Sequence, residues 1–322
     1  MKTIGVLTSG GDAPGMNAAI RAVVRTGVQN DMRVLGIYNG YEGLLAGDAC
    51  EMNLRSVSDI IQRGGTVLRT ARSKEFTTEQ GVRKAAEMCR RMGLEGLVVI
   101  GGDGSFRGAQ DLSRHGIPVV GIPGTIDNDI GCTEYTIGFD TAVNTVMDMV
   151  DRVRDTTESH SRCSVIEVMG RKAGWIALDS GIAVGATSIL IPEFEYDFER
   201  DVVNRMRQTI STGKQHFVII VAEGCGDANE MAKLIQEKTG VESRATILGH
   251  VQRGGAPTVR DRVYASRLGN YAVHLLRDGA ETESRVVAIK NGEIVDYDIE
   301  EGLLMTKNID LGIYRMAHEI SI

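Results

Sequence analysis

The 322-residue chain has no apolar run approaching the length of a bilayer span, and its start enters a strand-like stretch without a secretory apolar core. Neither a membrane protein nor an exported one is expected, and a cytoplasmic location is. It has no Cys-x-x-Cys pair. Cys50, Cys89, Cys132, Cys163 and Cys225 are scattered and odd in number, which argues against a disulfide framework and for reduced thiols. Positive charge is not in excess: 36 Lys and Arg face 43 Asp and Glu, a net charge of −7. No general attraction to nucleic acid or acidic lipid follows, so any phosphate must be held by local arginines. Low-complexity segments, short-period repeats and a Gly-x-x-x-x-Gly-Lys-Ser/Thr P-loop are all missing. One tryptophan stands against 39 glycines, which predicts many tight loops. The length favours two domains, though one large α/β domain is possible.

The chain is organised around residues 96–129. Leu97 to Ile100 is a short unbroken apolar run, expected as a strand buried on both faces of a parallel sheet. Gly101, Gly102 and Gly104 follow, then a helical pattern from Ser105 to Arg114, whose N-terminus is suited to an anion. Asp103 sits among these glycines. A carboxylate beside phosphate oxygens calls for a cation between them, which points to Mg²⁺. The next strand, Ile117 to Ile122, delivers Thr125, Asp127 and Asp129 at alternate positions. If extended, that segment points all three side chains one way, with the carboxylates about 6–7 Å apart along the chain.

The same grammar opens the chain: strand Ile4 to Leu7, the loop Ser9-Gly-Gly-Asp-Ala-Pro-Gly15, and a helix from Met16. Such loops lie at the carboxyl ends of strands, where open α/β sheets bind ligands. A strand at Val34 to Tyr38 leads to a glycine-rich loop through Tyr41, a short helix from Ser56, then Arg72 in a loop. Alternating strands and helices predict a parallel, doubly wound sheet. After helix Phe139 to Thr157, a second α/β unit is expected. It has strand Ser164 to Val168, the turn Met169-Gly-Arg-Lys-Ala-Gly174, helix Phe198 to Ser211 and strand Phe217 to Ala222 ending at Glu223. Asn291-Gly292 between apolar runs signals a hairpin.

Phosphoryl transfer to an alcohol needs a base near the hydroxyl, metal at the phosphates and cations for developing charge. Asp127 or Asp129 can be the base, Asp103 a metal ligand directly or through water, and Arg72 and Arg171 the cations. Arg162, Arg244 and Arg253 with His250 are a second set of anion ligands, suited to a phosphate already on the acceptor. The competing classes are a nicotinamide-dependent dehydrogenase and a non-catalytic nucleotide-binding regulator. The first is disfavoured because Asp103 would oppose a pyrophosphate bound directly to backbone amides.

Thr8-Ser-Gly-Gly-Asp-Ala-Pro-Gly-Met-Asn17, Gly101-Gly-Asp-Gly-Ser105, Pro123-Gly-Thr-Ile-Asp-Asn-Asp129, Met169-Gly-Arg171 and Leu248-Gly-His-Val-Gln-Arg-Gly-Gly255 resemble the bacterial 6-phosphofructokinases. The motifs are long, ordered and span almost the whole chain. The resemblance implies transfer of the γ-phosphoryl group of MgATP to the 1-hydroxyl of fructose 6-phosphate. It implies an ATP and Mg²⁺ domain of residues 1–138 with about 256–304, and a fructose 6-phosphate domain of 139–255 with about 305–322. By motif position Asp127 is the general base, with Thr125 at the reacting groups and Asp103 and Asp129 handling Mg²⁺. Arg72 and Arg171 stabilise the transferring charge. Gly11, Tyr41, Arg72, Gly102, Asp103, Gly104 and Ser105 meet the nucleotide. Arg162, Arg244, His250 and Arg253 hold the sugar phosphate, while Met169, Gly170 and Glu223 contact the sugar. In that family Arg162 and Arg244 come from a neighbouring subunit of a homotetramer.

A pyrophosphate-using branch is similar in places, notably at Trp175. That branch tends to carry aspartate and lysine where Gly104 and Gly124 stand, and both glycines favour ATP. Arg21, Arg25, Ser58, Asp59, Arg154, Gly185, Lys214 and His216 match an effector site for ADP and phosphoenolpyruvate between subunits. Leu54 and Thr187 stand where allosteric relatives often have arginine and glutamate, so both responses are expected to be weak or altered.

Overall fold

The computed structural model describes residues 2–278 and 284–321. The chain divides into two compact units, Met1–Thr141 with Arg253–Lys307 and Ala142–Gln252 with Asn308–Ile322. Both are built on a largely parallel sheet.

Among the described residues the first unit carries seven strands. In chain order the early ones are β1 (Thr3–Thr8), β2 (Arg33–Ile37), β3 (Ala49–Met52), β4 (Gly96–Gly101) and β5 (Val119–Pro123). Their helices are α1 (Met16–Gln29), α2 (Gly40–Ala46), α3 (Glu79–Arg91) and α4 (Asp103–Arg114). The chain leaves this unit within α5 (Phe139–Ser159).

The second unit then adds β6 (Cys163–Val168), α6 (Trp175–Ala183), β7 (Ser188–Leu190), α7 (Arg205–Ser211), β8 (Phe217–Ala222), α8 (Ala228–Thr239) and β9 (Ser243–Ile247). The return to the first unit supplies α9 (Val259–Asp278), β10 (Arg285–Lys290), β11 (Glu293–Asp298) and α10 (Ile299–Leu304). Helix α11 (Leu311–Glu319) ends the second unit.

In the first sheet the order is β11-β10-β5-β4-β1-β2-β3, with β3 and β11 antiparallel at the two edges and the rest parallel. Alternation along the strands sorts its two faces. Leu7, Leu97, Val99 and Val119 join Leu44, Ala85, Phe106 and Leu112 in the layer of α2, α3 and α4. Ile4, Val6, Val98 and Ile100 point the other way, where α1 and α9 pack against the sheet and each other. Gly269 lets those two helices meet closely, since a Cβ there would stand 2.8 Å from the Ala19 carbonyl. In the second unit β7-β8-β6-β9 is wholly parallel, and Val165, Phe217, Ile219 and Val221 form its core with Val202, Met206 and Ile235. Among the described residues no helix is long and apolar enough to cross a membrane.

Four local expectations are corrected. The glycine-rich stretch through Tyr41 is a helix, α2, which left-handed Asn39 and Gly47 start and stop. No helix starts at Ser56: residues 54–59 and 61–62 are turns, with Asp59 left-handed at φ 54°. The pattern from Phe198 is a π-helical turn, Glu199–Asn204, running into α7. Helix α4 starts at Asp103 rather than Ser105, with extended Gly102 before it.

Candidate functional site

In the first unit the loops after β1, β4 and β5 share the carboxyl end of the sheet. Parallel register ties them together: Ile100 pairs with Thr8 and Ile122, and Gly101 with Pro123. The Gly124 amide donates to the Gly101 carbonyl at 2.9 Å, and a Cβ on Gly102 would lie 3.7 Å from the Thr125 Cβ. The glycines are what allow this closeness; a Cβ on Gly101 would meet the Ser9 carbonyl at 2.5 Å. Segment 63–70 is strapped alongside. Asn17 donates to the Arg63 and Gly64 carbonyls and accepts from Val67, and the Thr70 hydroxyl donates to the Gly10 carbonyl at 2.9 Å. Exposed Arg72 follows this strap.

Space opens over the first turn of α4. A Cβ on exposed Gly104 would meet nothing within 4 Å, and the Asp103 carboxylate stands at the positive end of the helix. There it takes Arg107 as an ion-pair partner at 2.9 Å, one turn on. Sequence reasoning passed over Arg107, although the i,i+4 spacing to Asp103 was the signal. Tyr41 lies beneath: its ring stacks on Phe76 at 3.9 Å between centroids, and its hydroxyl donates to the Ser105 carbonyl at 2.5 Å. Burial pushes its phenol pKa well above the ordinary value. Tyr41 and Ser105, both buried, thus brace the loop from inside.

The acid loop is not extended. The chain turns at Ile126 and Asp127, and Asn128 is left-handed at φ 52°, so alternation does not set a common face for Thr125, Asp127 and Asp129. Instead the two acids differ in environment: Asp127 is 3% exposed, its amide donating to the Thr125 hydroxyl at 3.2 Å, while Asp129 is exposed. Asp103 and Asp129 are hard oxygen donors with access to water. Among the described residues no three His, Cys, Asp or Glu side chains cluster as a cage. That donor set suits Mg²⁺, which needs only one or two carboxylates and completes its shell with water and phosphate oxygens.

Arg253 belongs to this unit. Its Nη1 donates to the Asp12 carbonyl at 3.1 Å and lies against Gly11.

The second unit holds its candidates at two ends of one sheet. At the carboxyl end of β6, Met169, Gly170 and Arg171 form a turn with Gly170 and Arg171 at φ 138° and 57°. The Glu223 carboxylate accepts from the amides of Gly170 (3.2 Å) and Arg171 (2.6 Å), which holds that strained turn. Buried Gln252 accepts from the Met169 amide at 3.1 Å. Arg162 and Arg244 stand at the amino ends of β6 and β9, where Cys163 pairs with Ser243 and Ser164 with Arg244. Glu242 binds both arginines at 2.9 Å, and the two guanidiniums, Arg162 first, keep its carboxyl below the usual range. Six residues of β6 lie between Arg162 and Met169, and the seven steps amount to roughly 22–24 Å at strand rise. The structure therefore does not bring Arg162 and Arg244 together with Arg171, and exposed His250 follows β9 at its other end.

The candidate effector residues fall in both units. Arg21 and Arg25 share a face of α1, and Ser58 and Asp59 lie in the turns after β3. In the second unit Arg154 donates to the Val184 carbonyl beside left-handed Gly185. Burial, with Arg154 nearby, holds the Lys214 pKa below its ordinary value. His216 is half-buried just before β8. Leu54 is exposed, whereas Thr187 is buried with its carbonyl accepting from Arg205 and Ser321.

Glycine loops and a helix N-terminus at the carboxyl ends of parallel strands, with acids beside them, define an α/β protein built to take a phosphorylated ligand. The chain belongs to the phosphofructokinase family, whose description, Phosphofructokinase, matches residues 3–276. It is 58% identical over 321 residues to proteins named ATP-dependent 6-phosphofructokinase from Clostridium botulinum (strain Loch Maree / Type A3) and Clostridium tetani (strain Massachusetts / E88). In each case 100% of both chains is covered. Among solved structures it superposes on phosphofructokinase from Saccharomyces cerevisiae with TM-score 0.90 and 37% identity, covering 100% of this chain and 48% of that one. A pyrophosphate-dependent phosphofructokinase from Marinobacter aquaeolei shares the fold, with TM-score 0.86 at 21% identity over 97% of this chain and 86% of that one.

Proposed function

We propose that this chain is an ATP-dependent 6-phosphofructokinase, which moves the γ-phosphoryl group of ATP to the 1-hydroxyl of fructose 6-phosphate and releases fructose 1,6-bisphosphate and ADP. The observation that carries the reading is a buried acid beside an open anion site: Asp127 is 3% exposed next to Thr125, while Gly104 leaves free space at the start of α4. Asp127 takes the proton of the attacking hydroxyl. Thr125 and the amides of Gly11, Gly102 and Gly104 orient the phosphates, with Ser105 and Tyr41 bracing the loop. Arg72 and Arg171 offset charge on the transferring group. Mg²⁺, bound with the nucleotide, would be held by Asp103 and Asp129 and would neutralise phosphate charge. Met169, Gly170 and Glu223 form the sugar side, with His250 and Arg253 toward its phosphate.

The enzyme is a glycolytic, cytoplasmic homotetramer in this reading, and Arg162 and Arg244 serve the site of a neighbouring subunit. Their place at the opposite end of β6 from Met169 supports that division. Arg21, Arg25, Ser58, Asp59, Arg154, Gly185, Lys214 and His216 form an effector site for ADP and phosphoenolpyruvate, with weakened response because Leu54 and Thr187 replace charged residues. A titration with strong, opposed responses to the two would refute that weakening.

The deciding experiment supplies fructose 6-phosphate and Mg²⁺ with either ATP or pyrophosphate as the sole donor and measures fructose 1,6-bisphosphate. Product with ATP alone is expected. Product with pyrophosphate alone would overturn the choice of donor, and product with neither would leave a nucleotide-binding regulator as the better reading.

A further inference from the structure

Asp261 is a fully buried carboxylate on the first turn of α9, eight residues beyond Arg253 and given no role above. Thr258-x-x-Asp261 has the spacing of a capping box, and half of the box is made: the Thr258 hydroxyl accepts from the Asp261 amide at 3.3 Å. The other half is diverted. The Thr258 amide donates to the Thr141 hydroxyl at 3.0 Å, which frees the Asp261 carboxylate to bind elsewhere.

That carboxylate collects four donors from one short segment. Its Oδ1 accepts from the Tyr135 hydroxyl at 2.5 Å and the Gly138 amide at 2.7 Å; its Oδ2 accepts from the Thr141 amide at 2.9 Å and the Thr141 hydroxyl. The residues between these anchors face the acid loop. The Thr136 hydroxyl donates to the Thr125 carbonyl at 2.6 Å, and its amide donates to Asn128 Oδ1 at 3.1 Å. The Ile137 amide donates to the Pro123 carbonyl at 2.9 Å. Asp127 lies between Thr125 and Asn128, so Thr136 holds a residue on each side of it, the Thr125 backbone carbonyl and the Asn128 side chain. Thr136 is fully buried and Tyr135, Asn128 and Thr141 nearly so, which makes these bonds strong and their loss costly.

We propose that Asp261, acting through Tyr135 and Thr136, is a positioning residue that sets the attitude of Asp127 toward the sugar hydroxyl. A simple helix cap would need only the Thr258 bond. A buried carboxylate given four donors from a single strap, itself bonded to the acid loop, ties the turn at Asp127 and left-handed Asn128 to α9.

The proposal rests on the reading of Asp127 as base, so the test measures kcat and KM for the parent, Asp127→Ser, Asp261→Asn and Tyr135→Phe, and for the last two in the Asp127→Ser background. In the parent background kcat falls on the order of 100-fold for Asp261→Asn and about tenfold for Tyr135→Phe, with both KM values within about threefold. In the Asp127→Ser background the same changes alter kcat by less than about twofold, because the group being aimed is gone. Equal losses in both backgrounds, or unchanged kcat with a lowered Tm, would overturn the proposal while leaving the kinase reading intact. An inactive parent, or an Asp127→Ser variant as fast as the parent, would overturn both. If Asp261→Asn does not fold, Tyr135→Phe keeps the test decisive, since it removes one hydroxyl and leaves the ring packed.

Discussion

Arg253 closes over Gly11: with Nη1 bonded to the Asp12 carbonyl, a methyl group on the Gly11 α-carbon would stand 2.4 Å from that nitrogen. One residue was expected at the nucleotide and the other at the sugar phosphate, yet they are in contact. In Gly11→Ala the guanidinium, at the end of a flexible stem, swings away rather than the loop unfolding. The cost is a charge-assisted hydrogen bond, about 1.5–3 kcal/mol. Only a few degrees of Tm should be lost, but KM should rise for both substrates, on the order of tenfold for ATP. Steady-state kinetics with each substrate varied will check this; a rise confined to ATP would mean that Arg253 does not serve the sugar side.

The separation of Arg162 and Arg244 from Arg171 gives a second expectation. If these arginines complete a neighbour's site, Asp127→Ser and Arg244→Ser are each inactive alone. Unfolded and refolded as an equal mixture, they should regain roughly a quarter of the parent activity, since a site restores itself when its acid and its partner's arginine are both intact. No recovery on mixing would place all the chemistry within one chain.

The glycine loops were legible because strand, glycine and helix are local signals. Leu97 to Ile100 and the run before Gly10 announced β4 and β1, and Asn291-Gly292, both left-handed, makes the predicted turn between β10 and β11. What stayed hidden depends on contacts between distant residues. Helix α2 was masked by its own glycines, one of which, Gly43, is required because a Cβ would collide with the Tyr38 carbonyl. Edge strand β9 is polar and half-exposed, so it lacks the apolar run that marks a buried strand. The clamp of Glu242 on Arg162 and Arg244 is set by β6–β9 register, which no sequence spacing encodes. The same holds for Asp261, separated from Tyr135 by 126 residues.

If donor choice turns on Gly104, the free space for a side chain there makes it testable by substitution. Gly104→Asp should therefore fold as well as the parent. Its new carboxylate would face phosphate oxygens, and KM for ATP should rise at least about tenfold while KM for fructose 6-phosphate stays unchanged. Equal KM values for ATP in parent and variant would show that the nucleotide does not pass over the start of α4.

His318, on α11, gives the second unit a pH response. Its Nε2 lies 3.3 Å from the Ile189 carbonyl and its ring packs on Tyr314, with Arg205 and Asp201 as the nearest charges. Burial, then Arg205, lowers its pKa below the ordinary 6.5 despite Asp201. The folded chain thus binds the proton less readily than the unfolded one. The associated stability is full above about pH 6.5 and is lost as pH falls through the lower folded value. Asp201 titrates below this window, because Arg200 holds its carboxyl under the usual range. Arg205 also binds the His318 carbonyl and the Ser321 hydroxyl, so a second positive charge beside it would loosen the tail that covers Thr187. Thermal melts at pH 7 and pH 5 should show a smaller drop in Tm for His318→Gln than for the parent, the glutamine remaining neutral throughout. An equal drop in both would assign the acid sensitivity to other groups and leave α11 docked independently of pH.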